Sequence, residues 1–136
     1  MITGFACGVF DLFHAGHVLM LKECKEHCDY LIVALNKAEN LPTDKNKPVF
    51  SIEERKMIME SCKYVDKILM YNSEKELLEI LKNTKIDVRF LGDDYKTKSI
   101  TGQDLKIKIH YIDRSHGFSS SALIKKIVTT YSSLPK

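Results

Sequence analysis

No apolar run in this 136-residue chain approaches the ~18–20 residues of a membrane span. No basic stretch leads into an apolar one near Met1, so neither a signal peptide nor an anchor is expected. A cytoplasmic protein that meets no membrane is therefore the expectation. Charge of one sign is also lacking: 21 Lys and Arg stand against 18 Asp and Glu, for a net of +3. The lysines are dispersed, which argues against a nucleic-acid surface, since that needs a basic cluster on one face. Cys-x-x-Cys does not occur among Cys7, Cys24, Cys28 and Cys62, and zinc spacings are missing. Without an export signal a disulfide framework is not expected, and the thiols read as small buried hydrophobes. The dinucleotide fingerprint Gly-x-Gly-x-x-Gly is absent too, which counts against a nicotinamide enzyme.

What is present is an ordinary globular composition, 44% hydrophobic and 29% charged. The length suits one domain, expected over residues 1–131 with 132–136 as a frayed tail, and roughly two-thirds of the unfolded surface can be buried. Thr3 to Gly8 reads as a buried strand, and Val18, Leu21, Cys24 and Cys28 recur at helical steps. Tyr30 to Leu35 is a continuous apolar run of the kind covered on both faces. Asn36 to Val49 turns polar and reads as a long surface loop, a length uncommon without a function.

Ser51 with Glu54, and Ser73 with Glu76, are capping-box patterns that predict two further helices. Strands are predicted at Val65 to Met70, Val88 to Leu91 and Lys106 to Ile112. Leu123, Ile124, Ile127, Val128 and Tyr131 mark an amphipathic last helix entered from Ser119-Ser120-Ser121. Five strands alternating with helices predict an α/β fold, a doubly wound five-stranded parallel sheet. Ligands bind such sheets beyond the carboxyl ends of the strands, near the switch point. The segments that reach that edge are Gly8 to His17, Asn36 to Val49, Gly92 to Tyr95 and Arg114 to Ser121.

Gly8 to His17 carries the strongest chemical signal. A strand ends at Gly8, and a helix begins near Ala15 with His14 and His17 on one side of its first turn. Between them stand only Ala15 and Gly16, which lets a ligand come close to the backbone. Free amides at a helix start favour an anion, so two imidazoles beside them suit a phosphate group. Two capped structural histidines, or a zinc pair, are the competing readings; no third ligand or His-Glu-x-x-His pattern accompanies them.

Phe10-Asp11-Leu12-Phe13-His14-Ala15-Gly16-His17 resembles the His-x-Gly-His signature of the small nucleotidylyltransferases, most nearly the glycerol-3-phosphate cytidylyltransferases. The likeness extends through Asp29-Tyr30-Leu31, Glu53 to Lys56, Tyr64-Val65-Asp66, Ile86-Asp87-Val88 and Gly92-Asp93-Asp94. Arg114 with Gly117-Phe118-Ser119-Ser120-Ser121 resembles the family's second signature. The resemblance implies a Rossmann-like nucleotidylyltransferase fold and transfer of a nucleotidyl group from CTP to a small alcohol phosphate, with Mg²⁺ held mainly by phosphates rather than by protein ligands. It implies that His14 and His17 hydrogen-bond the triphosphate, and that Asp11 orients a histidine or the metal shell. Arg114 and Ser119 to Ser121 would hold the outer phosphates, with plain N-capping by a serine compatible with that. Gly8, Val9, Phe10, Ala15, Gly16, Lys63, Gly92, Asp94, Gly117 and Phe118 would complete the nucleotide site. Lys45 and Lys47 would meet the acceptor's phosphate, and a homodimer formed through Lys63 to Asp66 is implied.

Three departures stand out. Lys63 replaces the family's arginine, His116 stands where an acid is usual, and the lysine expected after the third strand falls near Leu77. Gly92-Asp93-Asp94-Tyr95-Lys96 also resembles the heptose-phosphate adenylyltransferases. An adenylyltransferase acting on a sugar phosphate, and a non-catalytic nucleotide-binding module, are the alternatives.

Overall fold

The computed structural model describes residues 1–39, 41 and 47–133. Its strands are β1 (Thr3–Gly8), β2 (Tyr30–Asn36), β3 (Lys67–Tyr71), β4 (Val88–Gly92) and β5 (Lys108–Ile112). Its helices are α1 (Ala15–Glu26), α2 (Ile52–Glu60), α3 (Glu74–Asn83) and α4 (Ser120–Tyr131). Short 3-10 turns at Asp93–Tyr95 and Gln103–Leu105 fill the β4–β5 connection.

All strand pairings are parallel, in the order β3-β2-β1-β4-β5. The chain winds outward from β1 to β3, then returns to place β4 on the free side of β1. That reversal is the switch point, and it opens a crevice beyond Gly8 and Gly92. The expected doubly wound α/β sheet is what the structure shows.

Alternation along β2 sends Leu31, Val33 and Leu35 to one face, where Leu21 and Cys24 of α1 and Met59 of α2 meet Phe90 and Ile112. Ile32 and Ala34 face the other way, against Phe5, Tyr71 and Leu77 and Leu81 of α3. The continuous apolar run is thus explained by burial on both sides.

Several boundaries differ from expectation for identifiable reasons. β3 begins at Lys67 rather than Val65, because the Asp66 carboxylate takes the Leu31 amide at 2.7 Å and the ladder starts only at Ile32 and Lys67. β5 begins at Lys108 because Lys106 is left-handed (φ 56°) and closes the preceding turn. The apolar stripe of α4 faces outward: Ile124, Ile127, Val128 and Tyr131 are 44%, 44%, 61% and 56% exposed, and the helix buries no residue. Its periodicity is real, but among the described residues no layer covers it. Of the four free cysteines, Cys24 and Cys28 are buried as expected, whereas Cys7 and Cys62 are half-buried. Among the described residues no helix is long and apolar enough to cross a membrane.

Candidate active site

The loop from Gly8 to His14 leaves the sheet in a strained conformation. Phe10 and Leu12 hold φ of 52° and 50°, a left-handed geometry that costs a non-glycine residue about 1–2 kcal/mol each. Strain of this kind concentrates where a backbone must present itself to a ligand. The Asp11 carboxylate between them secures the loop, accepting from the Val49 amide at 2.7 Å and the Phe50 amide at 2.9 Å. Both its oxygens are therefore engaged by backbone rather than by a histidine.

His14 is the N-cap of α1, and it and His17 form a reciprocal capping box. His14 Nδ1 accepts from the Gly16 amide at 3.0 Å, and His17 Nδ1 accepts from the His14 amide at 3.1 Å. An imidazole nitrogen that accepts carries no proton, so each neutral ring bears its hydrogen on Nε2. Burial, aided by His14 and Arg114, pushes His17 down to about 4. Burial, with His116 and Arg114, also lowers His14. Both rings are thus neutral Nε2–H donors at pH 7. The ring centroids lie 4.0 Å apart, so the two donors serve one small volume.

Gly16 is required by packing: a Cβ there would lie 2.8 Å from His14 Cε1 and 2.8 Å from Phe118 Cβ. Through this contact α1 and the segment leading into α4 approach each other. Ser119 caps α4 by accepting from the Ala122 amide at 3.0 Å. Ser120 Oγ donates to the Asp11 carbonyl at 3.2 Å and lies 3.3 Å from His14 Nε2. Gly117 turns the chain at φ 79°, and His116 Nδ1 accepts from the Phe118 amide at 2.9 Å.

These pieces line a cavity of about 230 Å³ at the strand ends, walled by the backbone of Gly8 to Phe10, by His14, Gly16 and His17, and by Gly92, Arg114, Phe118, Ser119 and Ser120. Two helix N-termini open on it, and both bring orphan amides and the positive end of a dipole. Arg114 is half-exposed, with Nη1 3.7 Å from Asp94 Oδ1. Among the described residues the cavity is lined by donors and one cation, with no carboxylate, the electrostatics of a polyphosphate site.

Other expected residues lie elsewhere. Asp94 is exposed beside Arg114 and Lys98 at the rim. Ala15, Gly117 and Ser121 flank the cavity without lining it. Lys63 has its ammonium 5.3 Å from the Tyr64 ring centroid and lines no part of the cavity. Lys47 is exposed and also outside the cavity, and Lys45 falls outside the described residues.

Arg55 is the residue that the sequence did not single out beyond its place in Glu53 to Lys56. It is 3% exposed, and its guanidinium donates to the carbonyls of Phe50 (3.2 Å), Val9 (3.0 Å), Asn36 (2.6 Å) and Lys37 (2.8 Å). It pins the ends of β1 and β2 and the entry to α2 around the site. The available signal was its place in the inward helical stripe with Met59 and Cys62. Met20 was likewise missed as a lining residue, whereas Tyr95 lines the cavity from the Gly92 to Tyr95 segment expected at this edge.

Among the described residues no group of three His, Cys, Asp or Glu side chains is arranged to hold a metal ion. The zinc reading of His14 and His17 has no further ligand there.

A family described as cytidylyltransferase-like matches residues 5–126. The glycerol-3-phosphate cytidylyltransferase of Bacillus subtilis is 32% identical over 120 residues, covering 88% of this chain and 92% of that protein. The bifunctional protein HldE of Campylobacter jejuni is 34% identical over 125 residues, covering 90% of this chain but only 27% of the relative. The chain thus spans about a quarter of the length of the HldE relatives. A solved lipopolysaccharide core biosynthesis protein from Thermoplasma volcanium aligns with a TM-score of 0.69 and 28% identity, covering 83% of this chain and 97% of that one.

Proposed function

The chain belongs to the cytidylyltransferase-like family, and from that premise we propose that it couples a nucleoside triphosphate to the phosphate of a small phosphorylated alcohol. An acceptor phosphate oxygen attacks the α-phosphorus, a new P–O–P linkage forms, the α–β bridge breaks, and pyrophosphate leaves with the electron pair. No protein nucleophile is needed, because the acceptor brings its own. The protein's task is positioning and stabilising charge that spreads over the phosphoryl oxygens.

The observation that carries this reading is the convergence of two helix N-termini on one cavity with two neutral imidazoles and Arg114. His14 and His17 point Nε2–H groups at the α-phosphate oxygens, where donors gain strength as charge grows. Ser119 and Ser120 at the α4 N-terminus and the Arg114 guanidinium hold the departing β- and γ-phosphates. Arg55 and Asp11 keep the loop backbone in place and touch no substrate. The donor set fits a Mg²⁺ ion carried in on the triphosphate: the Asp11 carboxylate is engaged by amides, and Asp94 sits beside Lys98 and Arg114, which leaves phosphate oxygens and water as ligands. When bound, that ion supplies neutralisation of phosphate charge.

CTP and glycerol 3-phosphate are the first substrates in this reading, supported by the Bacillus relative's name and its coverage of both chains. ATP with a sugar phosphate is the second reading. It is favoured by Leu77 of α3, an apolar residue where the resemblance calls for a lysine, and by the likeness to the Thermoplasma lipopolysaccharide core biosynthesis protein. Lys47 and Lys45 are the proposed contacts for the acceptor phosphate. Homodimerisation through Lys63 to Asp66 belongs to the same proposal, and sedimentation equilibrium tests it.

The deciding assay is pyrophosphate release with Mg²⁺, crossing CTP and ATP with glycerol 3-phosphate and a heptose 1-phosphate. Release with one nucleotide and one acceptor supports transfer and names the pair. Nucleotide binding without release from any pair overturns transfer in favour of a binding module.

A further inference from the structure

Of Asp113 to Phe118, in the connection from β5 to α4, only His116 is half-buried and the others are exposed. Its ring turns inward and lines the same cavity as His14, Arg114 and Ser119. It stands within electrostatic reach of His14. Two contacts hold it there. Nδ1 accepts from the Phe118 amide at 2.9 Å, and the Phe118 ring stacks on it with centroids 5.4 Å apart at 29°. The rest of the loop is tied without it. The Asp113 carboxylate accepts from the Ser115 amide at 2.9 Å and the Ser115 hydroxyl at 3.0 Å, and the Gly117 amide donates to the Arg114 carbonyl at 3.4 Å.

The bond at Nδ1 repeats, at the entry to α4, the device found at the entry to α1. His14 accepts from the amide two residues on, at Gly16, as His116 does from Phe118. In a neutral ring an accepting Nδ1 places the hydrogen on Nε2. Each loop thus carries into one cavity an imidazole whose tautomer the backbone sets. Nε2 of His116 is bonded to no described residue. A turn needs only the acceptor. An acid, which the resemblance places at this position, would serve the Phe118 amide equally, but it would set a negative charge beside the proposed outer phosphates. Histidine keeps the acceptor, removes that charge and adds a donor. His116 is two residues from Arg114 and within reach of His14, so the phosphate nearest it is the one next to the α-phosphate.

We infer that His116 is a third imidazole of the site, and that its Nε2–H holds the β-phosphate, the end of the pyrophosphate that the α-phosphorus releases. The inference rests on the transfer reading above for the fate of that phosphate, but not for its binding.

The test uses the full chain with His116→Ala, His116→Gln and His116→Glu. Gln and Glu both keep an acceptor for the Phe118 amide, and only Gln keeps a donor. Calorimetry with Mg²⁺ measures Kd for inorganic pyrophosphate, CTP, ATP, CMP and AMP, beside the assay of pyrophosphate release. His116→Ala should raise Kd for pyrophosphate and for the triphosphate that binds by at least about tenfold, the size of a hydrogen bond to a charged group, and leave that of the matching monophosphate within about twofold. His116→Gln should recover most of the loss, and His116→Glu should bind pyrophosphate more weakly than His116→Ala. Equal pyrophosphate affinity in the Gln and Glu variants would reduce the ring to a turn cap and overturn the inference; that comparison decides alone should His116→Ala unfold. Wild-type affinity in His116→Ala overturns it too, as does an equal loss for monophosphate and triphosphate, or a wild type that binds neither pyrophosphate nor a triphosphate. His116-dependent pyrophosphate binding without release from any nucleotide and acceptor keeps the site and overturns transfer. Release with pyrophosphate affinity unchanged across the variants does the reverse.

Discussion

His14 and His17 each commit Nδ1 to a backbone amide, which makes one interaction both structural and chemical. The cap fixes the tautomer, and the tautomer aims an N–H into the cavity. His14→Ala and His17→Ala should each lower kcat by on the order of 100–1,000-fold, the loss typical of a donor to developing phosphoryl or oxyanion charge. Each should also cost about 1 kcal/mol of stability as a lost cap, read in a denaturant melt beside the kinetics. Near-normal turnover in either variant would end the phosphate role of that residue. The same geometry has a pH signature. Folded His17 titrates at about 4 against an ordinary 6.5, because burial disfavours its cation. Between those values the unfolded chain holds a proton that the folded chain refuses, so stability falls as pH drops from 6.5 toward 4. His17→Gln preserves an acceptor at the capping position and removes the titration, so its stability curve should be flatter through that window. An unchanged slope would mean that another group sets it.

The sheet is secured differently at its two ends. At the amino ends of the strands, carboxylates accept from neighbouring amides: Asp29 from Ile2 at 2.7 Å, Asp87 from Thr3 at 2.8 Å, Asp66 from Leu31 at 2.7 Å. Desolvation would raise the Asp66 carboxyl, but bonds from Lys25 and the Leu31 amide outweigh it and hold it below the usual range. These acids belong to the segments that carry the family resemblance, yet they lie opposite the site and serve the ladder. At the carboxyl ends the clamp is Arg55. Arg55→Met would strand four carbonyls, at a cost on the order of 3 kcal/mol and a fall in Tm of roughly 10 °C by calorimetry. A change under about 2 °C would show that the loop carbonyls find other donors. The contrast explains what could be read beforehand. Apolar runs announced β1, β2 and β4 because burial on both faces leaves no room for polar residues, and the capping serines announced α2 and α3. Arg55 was hidden because a charged residue in a helix reads as surface unless its inward phase with Met59 and Cys62 is weighed.

Residues from both ends of the chain make the site, which is why its two signatures were legible while the packing of α4 was not. Periodicity placed Leu123, Ile124, Ile127, Val128 and Tyr131 on one stripe, but it carries no information on whether a partner layer exists. In the structure α4 buries no residue, and its ties are at its amino end: Ser120 to the Asp11 carbonyl, and Phe118 against Gly16. A helix held at one end through few buried contacts belongs to the low-stability part of a molecule, opening well below the global free energy. The same amino end is where the triphosphate is proposed to sit. A ligand that bridges the α1 and α4 N-termini therefore adds, to the weakest element, a tie it lacks. Hydrogen exchange on the free protein should show α4 amides from Leu123 onward exchanging faster than those of β1 and β2, whose pairings are central in the sheet. Mg²⁺ with CTP, or with whichever nucleotide binds, should slow α4 exchange by at least about tenfold, the size of a 1.4 kcal/mol coupling, and leave the central strands nearly unchanged. His14→Ala should weaken that protection, since one leg of the bridge is gone. Equal slowing throughout the sheet would instead mean that the nucleotide stabilises only the global fold. No slowing in α4 at saturating nucleotide would place the outer phosphates away from Ser119 to Ser121 and remove that helix from the proposed site.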